Sequence, residues 1–200
     1  RAAGWYRELL ASFPDDADTA ENDYLLADAL FESHQYADAA TEYERTAYGY
    51  LIGGRSAAAG YAALVALQKQ EELAAPAARA QIHARAMESG LHFAQVFPAH
   101  PESAGVLTRA AQDVYAAHDL PRAIKLAETL LARDPMVDVA KQRIGWTIIG
   151  QAHFDQAEYA LSEPAFQHAL LLTPAGAAEH GDLTERMAAA VYRQGEAKRK

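Results

Sequence analysis

Cysteine is absent from the 200 residues, which excludes a disulfide framework, an iron–sulfur cluster, a thiolate zinc site and a cysteine nucleophile. Long apolar runs are also missing: the longest, Ala57 to Leu67, holds eleven residues including Gly60 and is too short to span a bilayer. Basic residues are outnumbered, 18 Lys and Arg against 27 Asp and Glu for a net charge of −9. A chain of that sign is not built to grip a phosphate backbone, so no nucleic-acid partner is expected. β-Branched residues are scarce, with 7 Val, 6 Ile and 8 Thr against 47 Ala. Alanine loses no side-chain entropy in a helix whereas β-branched residues do, so the balance favours helix over strand.

What is present divides the chain into helical segments. Breaks fall at Pro14, Gly53-Gly54, Pro76, Pro98 with Pro101, Pro121, Pro135, and Pro174 with Gly176. Between them lie helical patterns and no extended alternation of the strand kind. Residue 1 is Arg, no apolar signal segment follows it, and Gly195 to Lys200 stops inside a helical pattern without a C-cap. These ends are expected of a piece cut from a longer protein, the alternative being a helix that frays at a natural basic terminus.

Internal similarity is the most specific feature. From Trp146 the order is Trp146-x2-Ile149-Gly150-x2-His153, then Tyr159-x2-Ser162-x3-Phe166-x2-Ala169-x4-Pro174. A second copy runs Leu107-x2-Ala110-Ala111-x2-Val114, then Leu120-x2-Ala123-x3-Ala127-x2-Leu130-x4-Pro135. A third runs Leu26-Ala27-x2-Leu30, then Tyr36-x2-Ala39-x3-Tyr43, with Leu51 where the closing proline would stand. Small residues at Ala27, Ala111 and Gly150 on first helices, and Ala39, Ala123 and Ser162 on second helices, let two backbones approach, while Tyr43 and Phe166 interlock.

This pattern resembles the tetratricopeptide repeat, with His153 and Ser162 departing from the usual Tyr and Ala. The resemblance implies an all-α, right-handed superhelical solenoid of about eight antiparallel helices, arranged as helix hairpins. It divides residues 1–200, as one array, into repeats at about 20–53, 104–137 and 143–176. An irregular hairpin fills 56–97, and partial hairpins lie at 1–14 and 182–200. The Phe13-Pro14-Asp15-Asp16 and Phe97-Pro98 junctions are similar to those of envelope-associated tetratricopeptide scaffolds of Gram-negative bacteria, including the lipoprotein subunit of the outer-membrane β-barrel assembly machine. That likeness implies a periplasmic or outer-membrane-associated location in preference to a cytoplasmic one.

None of the eight histidines forms His-Glu-x-x-His or another same-face helical pair. The run from Asp15 to Asp23 lacks the central glycine of an EF-hand loop and reads as a solvated linker that caps the next helix through Asp18 or Thr19. Gly53-Gly54-Arg55-Ser56 lacks the lysine of a phosphate loop and reads as a connection with Ser56 as N-cap. The expectation is a non-enzyme with no cofactor and no metal.

In this family the first helices line a concave groove that takes peptides or extended protein segments. By register the groove residues would be Tyr24, Asp28, Thr108, Gln112, Tyr115, Thr147, Gln151, Phe154 and Tyr192. Tyr115 and Phe154, with Phe31, could equally be core at the helix ends. The resemblance thus implies a scaffold or adaptor binding a protein or peptide partner, the alternative being an accessory region that positions a catalytic domain elsewhere. Residues 1–54 carry 3 basic and 11 acidic side chains against 15 and 16 in the remainder. That asymmetry either attracts a basic partner segment or maintains solubility. Direct transmembrane insertion is not expected, whereas self-association through apolar terminal faces is.

Overall fold

The computed structural model describes residues 1–14, 16–50, 53–133 and 135–199. Asp15 of the acidic run, Leu51 in the closing-proline slot and the terminal Lys200 therefore lie outside the described residues. The protein is all-helical, with no strand among the described residues. Ten helices are described where about eight were expected: α1 (Ala2–Ser12), α2 (Thr19–Glu32), α3 (Tyr36–Tyr48), α4 (Ser56–Leu73), α5 (Pro76–Val96), α6 (Ser103–Ala116), α7 (Leu120–Leu131), α8 (Val139–Asp155), α9 (Tyr159–Leu171) and α10 (Ala178–Ala197). The excess arises because α1 and α10 are ordered, multi-turn helices that pack on α2 and α9. No helix among the described residues is long and apolar enough to cross a membrane.

The chain forms two compact units, Arg1–Ser103 and Ala104–Lys200. In the first, α1 packs on α2, α2 on α3, α3 on α4 and α4 on α5; in the second, α7 packs on α8, α8 on α9 and α9 on α10. Both cores rely on small residues: Ala27, Ala39, Ala111, Ala123 and Ser162 have no exposed surface, and Gly150 is buried. Tyr43 and Phe166 fill the space that the small residues leave. The α8–α9 crossing is also bonded, because the Ser162 hydroxyl donates to the Gly150 carbonyl at 2.8 Å. Serine in an alanine slot is thereby satisfied without water.

Three hairpin turns share one construction. His34, His118 and Ala157 adopt left-handed backbone angles, φ 62°, 64° and 59°. After each of them the next residue donates back across the helix end: Gln35 to the Leu30 carbonyl, Asp119 to Val114 and Glu158 to His153, at 2.9, 3.1 and 2.8 Å. This is the Schellman arrangement that usually takes glycine. Ala157 is exposed and its Cβ disfavours the left-handed well by about 1 kcal/mol or more. Ala157→Gly is therefore expected to stabilise the second unit by about 0.5–1 kcal/mol, net of the extra unfolded-state entropy of glycine. Urea denaturation followed by circular dichroism measures this, and a loss of stability would refute the turn geometry.

The two Phe-Pro junctions are also built alike. Asp16 N–H donates to the Phe13 carbonyl and Thr19 N–H to Asp16; likewise His100 donates to Phe97 and Ser103 to His100. The hydroxyls six residues beyond the phenylalanines differ: Ser103 donates to the Phe97 carbonyl at 2.6 Å, whereas Thr19 donates to the Asp16 carbonyl at 2.7 Å and stands 3.5 Å from that of Phe13. Thr19 is thus a link to the preceding turn. Asp18 stands at the N-cap of α2 without a side-chain cap bond.

Two further expectations are corrected. Ser56 is the first residue of α4, behind Arg55 as N-cap, and its hydroxyl accepts from Gly53 N–H at 3.2 Å. Asp23, read as part of a solvated run, lies inside α2 and is fully buried. Its carboxylate accepts from Arg45 Nε at 2.7 Å, from Arg45 Nη2 and from the Tyr50 hydroxyl. α9 also continues through Pro164, where the buried Ser162, Ala165 and Phe166 hold the helix against the loss of one backbone donor.

Candidate functional site

The second unit contains a groove of about 570 Å³ lined by α6, α8 and α10. On α8, Arg143, Thr147 and Gln151 recur every fourth residue and so share one face, with Ile144 and Ile148 beside them. From α10 come Glu179, Asp182, Leu183 and Arg186, at the spacing of one helical face. From α6 come Gln112 and Tyr115. Ile148 and Leu183 are buried at the floor, while the polar side chains form the walls.

A chain of hydrogen bonds ties the three helices together. The Tyr115 hydroxyl donates to Asp155 Oδ2 at 2.8 Å, and Gln151 Nε2 donates to Asp155 Oδ1 at 3.2 Å. Arg186 Nη1 donates to Gln151 Oε1, and Arg186 Nε donates to Asp182 Oδ2 at 2.8 Å. Burial, together with the bond to Asp155, pushes the Tyr115 phenol up to about 12. The Tyr115 hydroxyl is therefore a fixed donor, and the wall is preorganised.

The residues singled out by register separate into groups. Gln112, Tyr115, Thr147 and Gln151 come together in this groove. Thr108 is buried, and its hydroxyl donates to the Ala104 carbonyl of its own helix at 2.8 Å. Phe154 meets Tyr159 edge to face at 5.2 Å and packs against the cluster of Phe166, Ala169, Leu183 and Ala190. Tyr192 is exposed on α10, and its hydroxyl donates to Glu196 one turn on, at 3.3 Å.

Tyr24 and Asp28 belong to the first unit. The Tyr24 ring meets Tyr43 edge to face at 5.6 Å and lies beneath the Arg55 guanidinium at 4.9 Å. Arg55 also pairs with Glu21 at 3.0 Å. Asp28 accepts from the Tyr43 hydroxyl at 2.5 Å, and burial with that bond holds the Tyr43 phenol far above its ordinary value. These two residues therefore form a packed, internally satisfied α2–α3 contact. Among the described residues no group of His, Asp and Glu is placed to hold a metal ion.

Sequence register did not bring out Arg143, Arg186, Glu179 and Asp182. A charge on a helix looks the same in sequence whether it faces a groove or open water. The sequence pattern places the last helical segment at 182–200, whereas α10 starts at Ala178 and buries Leu183 and Ala190. The Leu183-x6-Ala190 spacing, two helical turns, was the available signal. No protein-family model matches the chain, and comparison with curated proteins gives no match.

Proposed function

We propose that the protein is a non-catalytic interaction module that takes an extended protein or peptide segment in the groove between α6, α8 and α10. The observation that carries this reading is the groove itself: three helices present one face each, over a buried aliphatic floor, with walls fixed by the Tyr115–Asp155–Gln151–Arg186 bonds. Such a mix of apolar floor and few oriented polar groups suits a segment whose backbone and side chains must both be met. The identically built turns at His34, His118 and Ala157 support a tetratricopeptide-like array of antiparallel hairpins with a right-handed superhelix. The matched Phe13-Pro14 and Phe97-Pro98 junctions support the comparison with bacterial envelope scaffolds and hence a periplasmic or outer-membrane-associated setting.

Selection of short random peptides on the immobilised chain tests the groove. Thr147→Trp fills the groove from a half-buried wall position without entering the core. Selected peptides are expected to lose binding to Thr147→Trp and to keep it on Tyr24→Ala. Peptides indifferent to the filled groove would place the binding face elsewhere and overturn the assignment.

A further inference from the structure

One cation in the groove is left without the partners its chemistry calls for. The Arg143 side chain is only 25% exposed, and its ion-pair partner Glu179 stands at 3.6 Å, beyond hydrogen-bond reach. Among the described residues no hydrogen bond engages that guanidinium, although it carries five N–H donors. Arg186, by contrast, is committed to Asp182 and Gln151. The acidic side chains of the wall are the more exposed members of their pairs, Glu179 at 58% and Asp182 at 60%. The inner wall is therefore donor-rich and the rim carries the carboxylates in water. The Gln112 amide faces the same groove and makes no hydrogen bond among the described residues.

We propose that the groove recognises its segment through a side-chain carboxylate, an Asp or Glu, seated on the Arg143 guanidinium. This rests on the reading of the groove as a segment-binding site and names the chemistry of the segment. A carboxylate matches the guanidinium fork with two parallel bonds, and the partial burial of Arg143 keeps water from competing as it does at an exposed pair. A basic segment would instead meet Glu179 and Asp182, which at 58% and 60% exposure stay well hydrated, so it gains less. The carboxylate belongs to a side chain rather than to a chain end. Arg143 is the less exposed group, 25% against 58% and 60% for Glu179 and Asp182, and the stem of an Asp or Glu supplies the reach that such a guanidinium requires. An aliphatic neighbour in the segment completes the fit on Ile144, above Ile148 and Leu183.

The test uses the isotope-labelled chain of residues 1–200 and follows the amide resonances of α6, α8 and α10 by NMR titration. The probe is the blocked peptide acetyl-Ala-Leu-Glu-Leu-Ala-amide, compared with versions carrying Gln or Lys in place of Glu, and with the Gln version bearing a free C-terminal carboxylate. The Glu peptide is expected to bind about tenfold more tightly than the blocked Gln peptide, the difference made by one charge-assisted bidentate contact. Arg143→Gln should abolish that preference, and Arg143→Lys should restore only part of it because the fork is lost. The spectrum of each variant reports whether it is folded.

Equal binding of the Glu and Gln peptides in the groove would overturn the carboxylate proposal and leave the groove reading standing. Tighter binding of the Lys peptide would overturn it in favour of the rim acids. A free-acid Gln peptide that matches the Glu peptide would overturn it in favour of a chain end. Absence of any shift on α6, α8 and α10 with all four peptides would overturn the groove reading as well.

Discussion

Gly150→Ala is expected to lower the stability of the second unit by about 2 kcal/mol and its melting temperature by roughly 5–10 °C. A Cβ at Gly150 would stand 2.7 and 2.8 Å from two ring carbons of Phe166. That ring has no exposed surface and sits in a cluster with Ala169, Leu183 and Ala190, so it cannot swing into solvent. The ordinary helical preference for alanine, about 1 kcal/mol, works the other way and is overcome. Gly181→Ala in α10 supplies the control, since nothing lies within 4 Å of its Cβ position. There the helix preference acts alone, and a gain of about 0.5–1 kcal/mol is expected. Differential scanning calorimetry on both variants decides the matter, because equal gains would mean that α8 and α9 do not approach as described. Pairing Gly150→Ala with Phe166→Leu should return part of the loss, a coupling of the size seen between residues in contact.

That crossing was legible in the sequence because its chemistry is steric. Only a residue without a side chain fits where Phe166 presses on α8, and Gly150, Ser162 and Phe166 keep their spacing within a recurring order of small and large residues. The helical class was legible for a related reason, the excess of alanine over β-branched residues. The repeated turns were visible only in part. His34 and His118 hold left-handed positions that a glycine would have announced, and a histidine there gives no signal of its own. The separation between Phe13 and Phe97 is the same as that between Thr19 and Ser103 and between His34 and His118, but the backbone bonds that make the junctions equivalent depend on the turn conformation.

The groove was legible for Gln112, Tyr115, Thr147 and Gln151, whose places follow from helical register on α6 and α8. It was not legible for Arg143 and Arg186. Whether an arginine is solvated or sunk in a wall depends on how far the neighbouring helix stands, and that distance is a property of three helices together. Tyr24 and Asp28 illustrate the converse. They occupy the corresponding register on α2, yet Tyr43 and Arg55 have taken up their polar and aromatic surface.

The buried Asp23 leads to the second large effect. Arg45→Met is expected to destabilise the first unit by about 3 kcal/mol, and Asp23→Asn by only about 1 kcal/mol, although both variants break the same pair. The asymmetry follows from exposure: the Asp23 side chain has none, whereas Arg45 keeps 47%. Without Arg45 the carboxylate stays in the interior with the Tyr50 hydroxyl as its remaining side-chain donor among the described residues. Without the carboxylate, the guanidinium turns into water and still meets Glu42 at 2.9 Å. Glu42 also gives the Arg45→Met deficit a pH dependence. Burial holds its carboxyl above the ordinary value, and Arg45 is the largest influence opposing that rise. With Arg45 gone the value rises further, so as pH falls the native state takes up a proton on Glu42 before the unfolded chain does. The deficit is therefore largest at neutral pH and shrinks on acidification through the raised value. Urea denaturation of both variants at neutral and mildly acidic pH measures the two effects, and an Asp23→Asn loss equal to that of Arg45→Met would show that the guanidinium, rather than the carboxylate, is the group held from water.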